Sequence, residues 1–222
     1  TCLYVGAAVR MNEIARSDVV KTHWDILAKA AASMGNEQVR NRATIGGNIC
    51  TSSPAADSAP ALYTLEAIVL ARGPQGNRSI PIRRFFQGPG RNALRQGEIV
   101  VGLLLPRPPD GTIGYHEKLS RRKAGDLSIV SIALMALPHG RSYRWRLALG
   151  AVAPTPVRSP GSELLLNQAQ TYDDEIIDEA AAAAYGCSRP ISDIRSGVDY
   201  RQAMIVNLSR RAIKAVVAQM SS

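Results

Sequence analysis

The spacing of apolar and polar residues in the first half of the chain predicts one core-facing helix and four short strands. Apolar residues at positions 24, 27, 31 and 34 recur at helical spacing, which predicts a helix that begins at Thr22 and ends at Gly35. Four apolar runs bounded by turn residues predict strands at residues 3–8, 67–71, 79–82 and 98–105. Residues 85–90 are rich in Gly and Pro and are predicted to form a loop.

The second half of the chain predicts a three-stranded sheet that is followed by helices. Apolar stretches indicate strands at residues 113–120, 128–137 and 143–152. The short connection Pro138-His139-Gly140 favours an antiparallel pairing of the last two strands. Residues 153–156 include two prolines and are expected to end the sheet.

Helix signals follow that sheet. Thr171 is the expected N-cap of one helix, with Asp173 and Asp174 in its first turn and Gly186 at its end. A final helix is predicted over residues 200–219, and four of its apolar positions share one face. These positions are Ile205, Leu208, Ala212 and Val216.

A cluster of prolines separates the two halves. Pro106, Pro108 and Pro109 close the strand predicted at residues 98–105, since proline cannot continue a strand ladder. We therefore expect one domain over residues 1–109 and a second over residues 110–222. The predicted elements give an α+β fold.

Composition narrows the function classes. With 45% hydrophobic and 20% charged residues, the chain is globular, and no apolar run is long enough to span a bilayer. We expect a cytoplasmic protein. Cys2, Cys50 and Cys187 are far apart and form no CxxC pair, so neither a disulfide framework nor a zinc or iron–sulfur site is predicted. The three histidines, at positions 23, 116 and 139, are interpreted as structural or surface residues.

The net charge of +9 and the pI near 9.9 permit three kinds of anionic partner: nucleic acid, an anionic cofactor and acidic protein surfaces. Aromatic residues make up only 5% of the chain and no nucleic-acid-binding module is recognisable, which disfavours nucleic acid. A nucleic-acid binder would show steeply salt-dependent binding to DNA.

The strongest candidate for a binding site is the run RNRATIGGNICTSSPAAD at residues 40–57. Its Gly46–Gly47 pair is predicted to turn the backbone tightly and expose N–H groups to an anion such as a diphosphate. The hydroxyls at positions 51–53 and the Asn48 amide suit the sugar part of a nucleotide. A second interpretation remains open, in which the run is a turn and a polar loop, with Asp57 capping a helix at residues 58–65.

A longer stretch, VRNRATIGGNICTSSPAADSAPAL, resembles the second flavin-binding segment of the FAD subunits of molybdenum hydroxylases. The likeness continues in family order through FFQGPGRNALRQGEIVVGLLLP, YHEKLSRRKAGDLSIVSIAL and LALGAVAPTPVR. That family includes xanthine dehydrogenase and carbon monoxide dehydrogenase, and the chain looks most similar to bacterial xanthine dehydrogenase FAD subunits. The resemblance implies a PCMH-type FAD-binding domain followed by a CO-dehydrogenase-flavoprotein-like C-terminal domain with a three-stranded antiparallel sheet. The N-terminal lobe that carries the first FAD loop in the family is expected to be missing here.

The resemblance also implies which residues bind FAD. The positions matching the family's contacts are Thr44, Ile45, Gly46, Gly47, Asn48, Thr51, Asp57, Val100 and Lys118. Lys118 is equally open to interpretation as a solvated strand lysine.

Three further features near the implied site have alternative interpretations. Met34 replaces an aromatic residue that packs on the flavin in some family members. Cys50 is expected to be a small apolar wall beside the ring, or alternatively a redox-sensitive thiol. The loop from Arg121 to Asp126 resembles a mobile loop beside the flavin, or is a solvated charged turn.

As a member of this family, the chain would pass electrons from iron–sulfur clusters on a partner subunit through FAD to NAD or another acceptor. Molybdopterin would be held by a further subunit, and the chain itself would bind no metal. No catalytic acid–base pair or nucleophile motif is apparent, as expected where the cofactor carries the electron chemistry. The alternative is a non-catalytic partner-binding remnant without flavin.

Overall fold

The computed structural model of the chain describes residues 2–122 and 125–220. In the first half, an antiparallel sheet packs against a set of short helices. The elements in chain order are β1 (Cys2–Gly6), α1 (Met11–Arg16), α2 (Asp18–His23), α3 (Asp25–Ser33), α4 (Glu37–Arg40), α5 (Ile45–Cys50), α6 (Ala59–Thr64), β2 (Ile68–Gly73), β3 (Gly76–Pro81), α7 (Ile82–Phe85), β4 (Phe86–Gly88), β5 (Arg91–Asn92) and β6 (Ile99–Pro106).

The first sheet contains the four strands predicted for this half, in the spatial order β1-β6-β2-β3. Alternate side chains of a strand point to opposite faces, and one face of this sheet is apolar and buried. Val5 pairs with Leu103, which in turn pairs with Val69, and all three are buried in the core. The predicted strands are therefore confirmed, with ends shifted by up to three residues.

The helix predicted to begin at Thr22 is divided into two. α2 and α3 meet at Trp24, whose buried indole Nε1 donates to the carbonyl oxygen of Pro106 at 2.9 Å. Thr22 is not an N-cap, because it lies in the last turn of α2 and its hydroxyl donates to the carbonyl oxygen of Asp18 at 2.8 Å. The predicted stop is confirmed, since Gly35 follows the end of α3 with a φ of +48°.

The loop predicted over residues 85–90 is wrong in its first part. Helix α7 ends at Phe85, and β4 begins at Phe86 and pairs with β5. The two phenyl rings are buried in an edge-to-face contact with centroids 5.7 Å apart. The turn-forming residues are needed only for the short connection between β4 and β5, while the two aromatic residues before them are held by the core.

The second sheet is antiparallel in the order β10-β9-β8-β7. Its strands are β7 (Ile113–Leu119), β8 (Val130–His139), β9 (Ser142–Gly150) and β10 (Val157–Arg158). The three predicted strands are confirmed. Gly140, with a φ of +62°, opens the two-residue turn between β8 and β9, as expected for a hairpin. The predicted end of the sheet at residues 153–156 is wrong, because β10 returns after the two prolines to pair with β9.

Helices cover the outer face of the second sheet. They are α8 (Pro160–Gln168), α9 (Asp174–Ala183), a 3₁₀ turn (Ala184–Cys187) and α10 (Val198–Met220). The cap of α9 is Asp173, whose carboxylate accepts the N–H of Ile176 at 3.0 Å, so the prediction of Thr171 is wrong. The inward positions predicted for α10 are all fully buried. Among the helices described, none is long and apolar enough to cross a membrane.

The second sheet contributes to two hydrophobic cores. One core lies between this sheet and the helices α8–α10. The other contains the first sheet and the short helices, and it also includes Ala133, Met135 and Leu137 of β8 and Ala148 of β9. Because opposite faces of the same strands enter different cores, packing is continuous across the proline cluster. The domain boundary at residue 109 stays a prediction.

Candidate functional site

Residues 44–48 form the N-cap and first turn of α5, not an open bend. The Thr44 hydroxyl oxygen accepts the N–H of Gly47 at 3.1 Å. The N–H groups of Ile45 and Gly46 donate to carbonyl oxygens of the loop after β1 at 3.0 and 2.9 Å. The prediction that the glycine pair exposes bare N–H groups is therefore wrong, because the helix cap and the neighbouring loop already satisfy them.

The structure explains the two glycines in different ways. A Cβ on Gly46 would lie 2.7 Å from the Cβ of Ala7 and 2.8 Å from its carbonyl oxygen. This position permits the close approach of α5 to the loop after β1. Gly47 is exposed, and a Cβ there would meet only the Thr44 hydroxyl, at 3.1 Å. Gly47 thus keeps the outer surface of the turn open.

The polar side chains that follow face different ways. Thr51 is exposed, and its hydroxyl donates to the carbonyl oxygen of Gly47 at 2.8 Å, which leaves its lone pairs available to a ligand. Ser52 is buried with a φ of +48°. Asn48 accepts a hydrogen bond of 2.6 Å from the Ser58 hydroxyl, so its amide is held in place from the start of α6.

Asp57 and Lys118 are two predicted site residues that the structure brings together. The Asp57 carboxylate does not cap α6. It is buried, lies 2.9 Å from the Lys118 ammonium nitrogen, and accepts the Ser128 hydroxyl at 2.8 Å. The Lys118 side chain is only 7% exposed and also donates to the carbonyl oxygen of Ser33 at 3.3 Å. Its interpretation as a solvated strand lysine is therefore wrong.

Burial raises the pKa of the Asp57 carboxyl, whereas the charge of Lys118 and hydrogen bonds from Lys118 and Ser128 oppose that rise. Removing the two charges from water costs free energy, and the direct attraction between Asp57 and Lys118 offsets this cost. It joins the loop before α6 in the first domain to the edge strand β7 of the second.

His116 is a neighbour of this ion pair, and its place in the sequence alone does not distinguish it from an ordinary histidine. Burial lowers its pKa to about 4, with the charge of Lys118 acting in the same direction and a hydrogen bond with the Asp57 main chain opposing it. Its Nε2 atom is buried without a hydrogen-bond partner among the described residues. The signal in the sequence is its position two residues before Lys118, which places both side chains on one face of β7.

The depressed pKa of His116 predicts a pH effect on stability. The unfolded chain takes up a proton near pH 6.5, while the folded chain does so only near pH 4, so acidification through this window favours unfolding. Lowering the pH from about 7 to about 5 is expected to cost about 2 kcal/mol through this group. His116→Gln should lack this part of the pH dependence in urea unfolding. His139→Gln, at the exposed end of β8, is the control, and an equal pH slope in the two variants would refute the assignment.

Apolar side chains lie beside α5 and at its last residue, Cys50. Met34, Cys50 and Val100 are half-buried and pack against the first core. Burial raises the pKa of the Cys50 thiol, which disfavours the thiolate and argues against the redox-sensitive interpretation. Val100 lies opposite Ala71 at an irregularity in the β2–β6 pairing.

The charged loop that follows β7 has contacts with both domains. In the second domain, the Arg121 guanidinium donates to the carbonyl oxygen of Ile194 at 3.4 Å. In the first domain, the carbonyl oxygen of Gly35 accepts the N–H of Gly125 at 3.1 Å. Lys123, which belongs to the predicted basic loop, lies outside the described residues. The loop therefore reaches the end of α3, next to Met34.

The chemistry of these residues fits a flavin dinucleotide. Such a cofactor needs polar groups for its sugar alcohol and diphosphate, and an apolar wall for its ring. Thr51 supplies an exposed hydroxyl, Gly47 leaves the surface of the turn free of a side chain, and Cys50 and Val100 supply half-buried apolar groups.

Comparison with known proteins matches both halves of the chain to family models. Residues 1–108 match the FAD binding domain in molybdopterin dehydrogenase, and residues 115–216 match the CO dehydrogenase flavoprotein C-terminal domain. The carbon monoxide dehydrogenase medium chain of Hydrogenophaga pseudoflava is 33% identical over 216 residues, which cover 97% of this chain and 75% of that protein. The xanthine dehydrogenase FAD-binding subunit of Escherichia coli is 31% identical over 225 residues, which cover 97% of this chain and 74% of that protein.

Solved structures agree with the sequence comparison. Carbon monoxide dehydrogenase from Hydrogenophaga pseudoflava, in a form lacking the Mo-pyranopterin moiety of the molybdenum cofactor, matches with a TM-score of 0.93 and 32% identity. The match covers 98% of this chain and 75% of that one. Quinoline 2-oxidoreductase from Pseudomonas putida matches with a TM-score of 0.89 and 28% identity, over 98% and 75% of the two chains.

The fold and the family matches thus define a flavoprotein component of an oxidoreductase. More particularly, the chain belongs to the FAD-binding medium subunits of the molybdenum hydroxylase family, and FAD is its cofactor. The expected α+β fold, with an FAD-binding domain followed by the flavoprotein C-terminal domain, is confirmed. The chain is about equally similar to the carbon monoxide branch, at 33% identity, and to the xanthine branch, at 31%.

Proposed function

We propose that this chain is the electron-transferring FAD subunit of a xanthine dehydrogenase-like molybdenum hydroxylase in the cytoplasm. Electrons would arrive from iron–sulfur clusters on one partner subunit and leave to NAD or another acceptor. A further subunit would hold molybdopterin and the hydroxylated substrate. The observation that carries the proposal is the match of both halves of the chain, in order, to the two domains of this flavoprotein family.

We propose that the cofactor site is built from nine residues. They are Thr44, Ile45, Gly46, Gly47, Asn48, Thr51, Asp57, Val100 and Lys118. FAD supplies the electron chemistry when bound, and the chain positions it. Thr51 and Asn48 offer polar atoms, Gly47 leaves room for the cofactor because it has no side chain, and Val100 offers an apolar surface. Asp57 and Lys118 hold the loop before α6 through their buried ion pair.

The metal centres are assigned to the partner subunits in this proposal. In residues 2–122 and 125–220, no group of His, Cys, Asp and Glu side chains is placed to hold a metal ion. The net charge of +9 favours association with partners that present acidic surfaces.

The test is FAD titration of the purified chain, alone and in complex with the iron–sulfur and molybdopterin subunits, followed by flavin absorbance and fluorescence. We expect a flavin band in the complex. Thr51→Ala should weaken FAD binding about threefold to tenfold, because a hydrogen bond to the ligand is lost. Thr171→Ala, in the loop before α9, is the control. A complex that assembles without flavin would support the non-catalytic alternative and refute the proposal.

A further inference from the structure

Helix α6 begins next to the proposed cofactor-binding run and is tied to it. The hydroxyl of Ser58, at the start of α6, donates to the side-chain oxygen of Asn48 at 2.6 Å. Asp57, immediately before it, is paired with Lys118 and Ser128 of the second domain. The start of α6 therefore connects the cofactor-binding run to the second domain.

The end of α6 is held by the same domain through different residues. The Arg146 guanidinium donates to the carbonyl oxygen of Thr64 at 2.9 Å, and that of Arg158 donates to the carbonyl oxygen of Tyr63 at 3.2 Å. Glu66, just beyond the helix, lies 3.2 and 3.8 Å from these two guanidinium groups. The last carbonyl groups of a helix lack partners within it, and cations near them also complement the helix dipole.

Between these two ends, α6 and the loop before it pack tightly against the end of β9. A Cβ on Gly150 would lie 2.9 Å from the Cγ of Pro60 in the first turn of α6. The N–H of Ala151 donates to the carbonyl oxygen of Pro54 at 2.7 Å. Close contact along this length means that α6 cannot shift without disturbing β9.

We propose that the second domain is a positioning element for the FAD site and acts through an α6 clamp made of Lys118, Ser128, Arg146 and Arg158. The clamp fixes both ends of α6, and α6 fixes the side chain of Asn48 through Ser58. Arg146 and Arg158 thereby influence cofactor binding from the end of α6 that is remote from Asn48. The effect on FAD rests on the proposed function, whereas the effect on the mobility of the run does not.

The test compares Arg146→Met with Arg210→Met, which removes the same charge from an ion pair between α10 and α9. Hydrogen–deuterium exchange of the protein without FAD should become about threefold to tenfold faster at residues 45–58 in Arg146→Met only. FAD affinity should fall by about the same factor. Arg146→Lys should restore most of the exchange protection at residues 45–58 and most of the FAD affinity, because an ammonium group also binds helix carbonyls.

A general loss of stability would speed exchange in α9 and α10 as well, so exchange confined to residues 45–58 separates positioning from destabilisation. If Arg146→Met does not fold, Glu66→Gln gives a weaker form of the same perturbation, since Glu66 is half-exposed and contacts both arginines. Exchange at residues 45–58 equal to that of Arg210→Met would overturn the clamp. Absence of FAD binding in every variant would instead count against the proposed function, and the exchange result would still decide the clamp.

Discussion

Lys118→Met is expected to lower the free energy of unfolding by about 3–5 kcal/mol, because it leaves a buried carboxylate without its cation. The Asp57 and Lys118 side chains are 6% and 7% exposed, so water cannot replace the lost partner. Among the residues that the structure describes, Ser128 alone would still donate to the carboxylate. Urea unfolding of the purified chain measures the change.

Two further variants separate the ion pair from a general effect of losing a lysine. Lys214→Met removes a lysine from the solvent-exposed pair with Asp174 and should cost far less stability than Lys118→Met. The double variant Asp57→Asn with Lys118→Met should recover much of the loss, because no unpaired buried charge remains. Equal losses for Lys118→Met and Lys214→Met would show that the buried pair has no special role in stability.

The sequence predicts the sheet strands well because each carries a local apolar pattern. The strands β6, β8 and β9 are long, apolar and bounded by prolines or a short turn, so pattern and structure coincide. Trp24 and Phe86 show where local pattern fails. Trp24 breaks one predicted helix because its indole N–H bonds to Pro106, which is distant in sequence, and Phe86 is ordered by a core that no local window reveals.

The conformation of the proposed site is not predicted from the sequence. The resemblance to a family points to the run around Gly46 and Gly47 as the proposed binding segment, yet glycine pairs suggest a bend where the chain forms a helix. Asp57 and Lys118 form an ion pair in the fold. They are far apart in the sequence, so no rule based on residue spacing predicts that they pair. His116 is missed for the same reason, since its unusual pKa arises from burial and from Lys118.

Gly46→Ala and Gly47→Ala are expected to differ in their effect on stability, although the two residues are adjacent in one helical turn. Gly46→Ala should lower the free energy of unfolding by about 1–3 kcal/mol, because its methyl group would overlap Ala7. Gly47→Ala should change the free energy of unfolding by less than about 1 kcal/mol, because the higher helix propensity of alanine is offset by displacement of the Thr44 hydroxyl, which would lie 3.1 Å from the new Cβ. Thermal and urea unfolding of both variants measure these changes.

FAD titration tests whether Gly47 is part of the cofactor site. If Gly47 keeps the main chain open to the cofactor, Gly47→Ala should weaken FAD binding by about tenfold or more, since a methyl group would stand between the helix turn and the ligand. An alanine at position 47 that binds FAD as tightly as the wild-type chain would remove Gly47 from the site. A fully stable Gly46→Ala variant would show that α5 can move away from the loop after β1, which contradicts the close packing on which the position of the whole run depends.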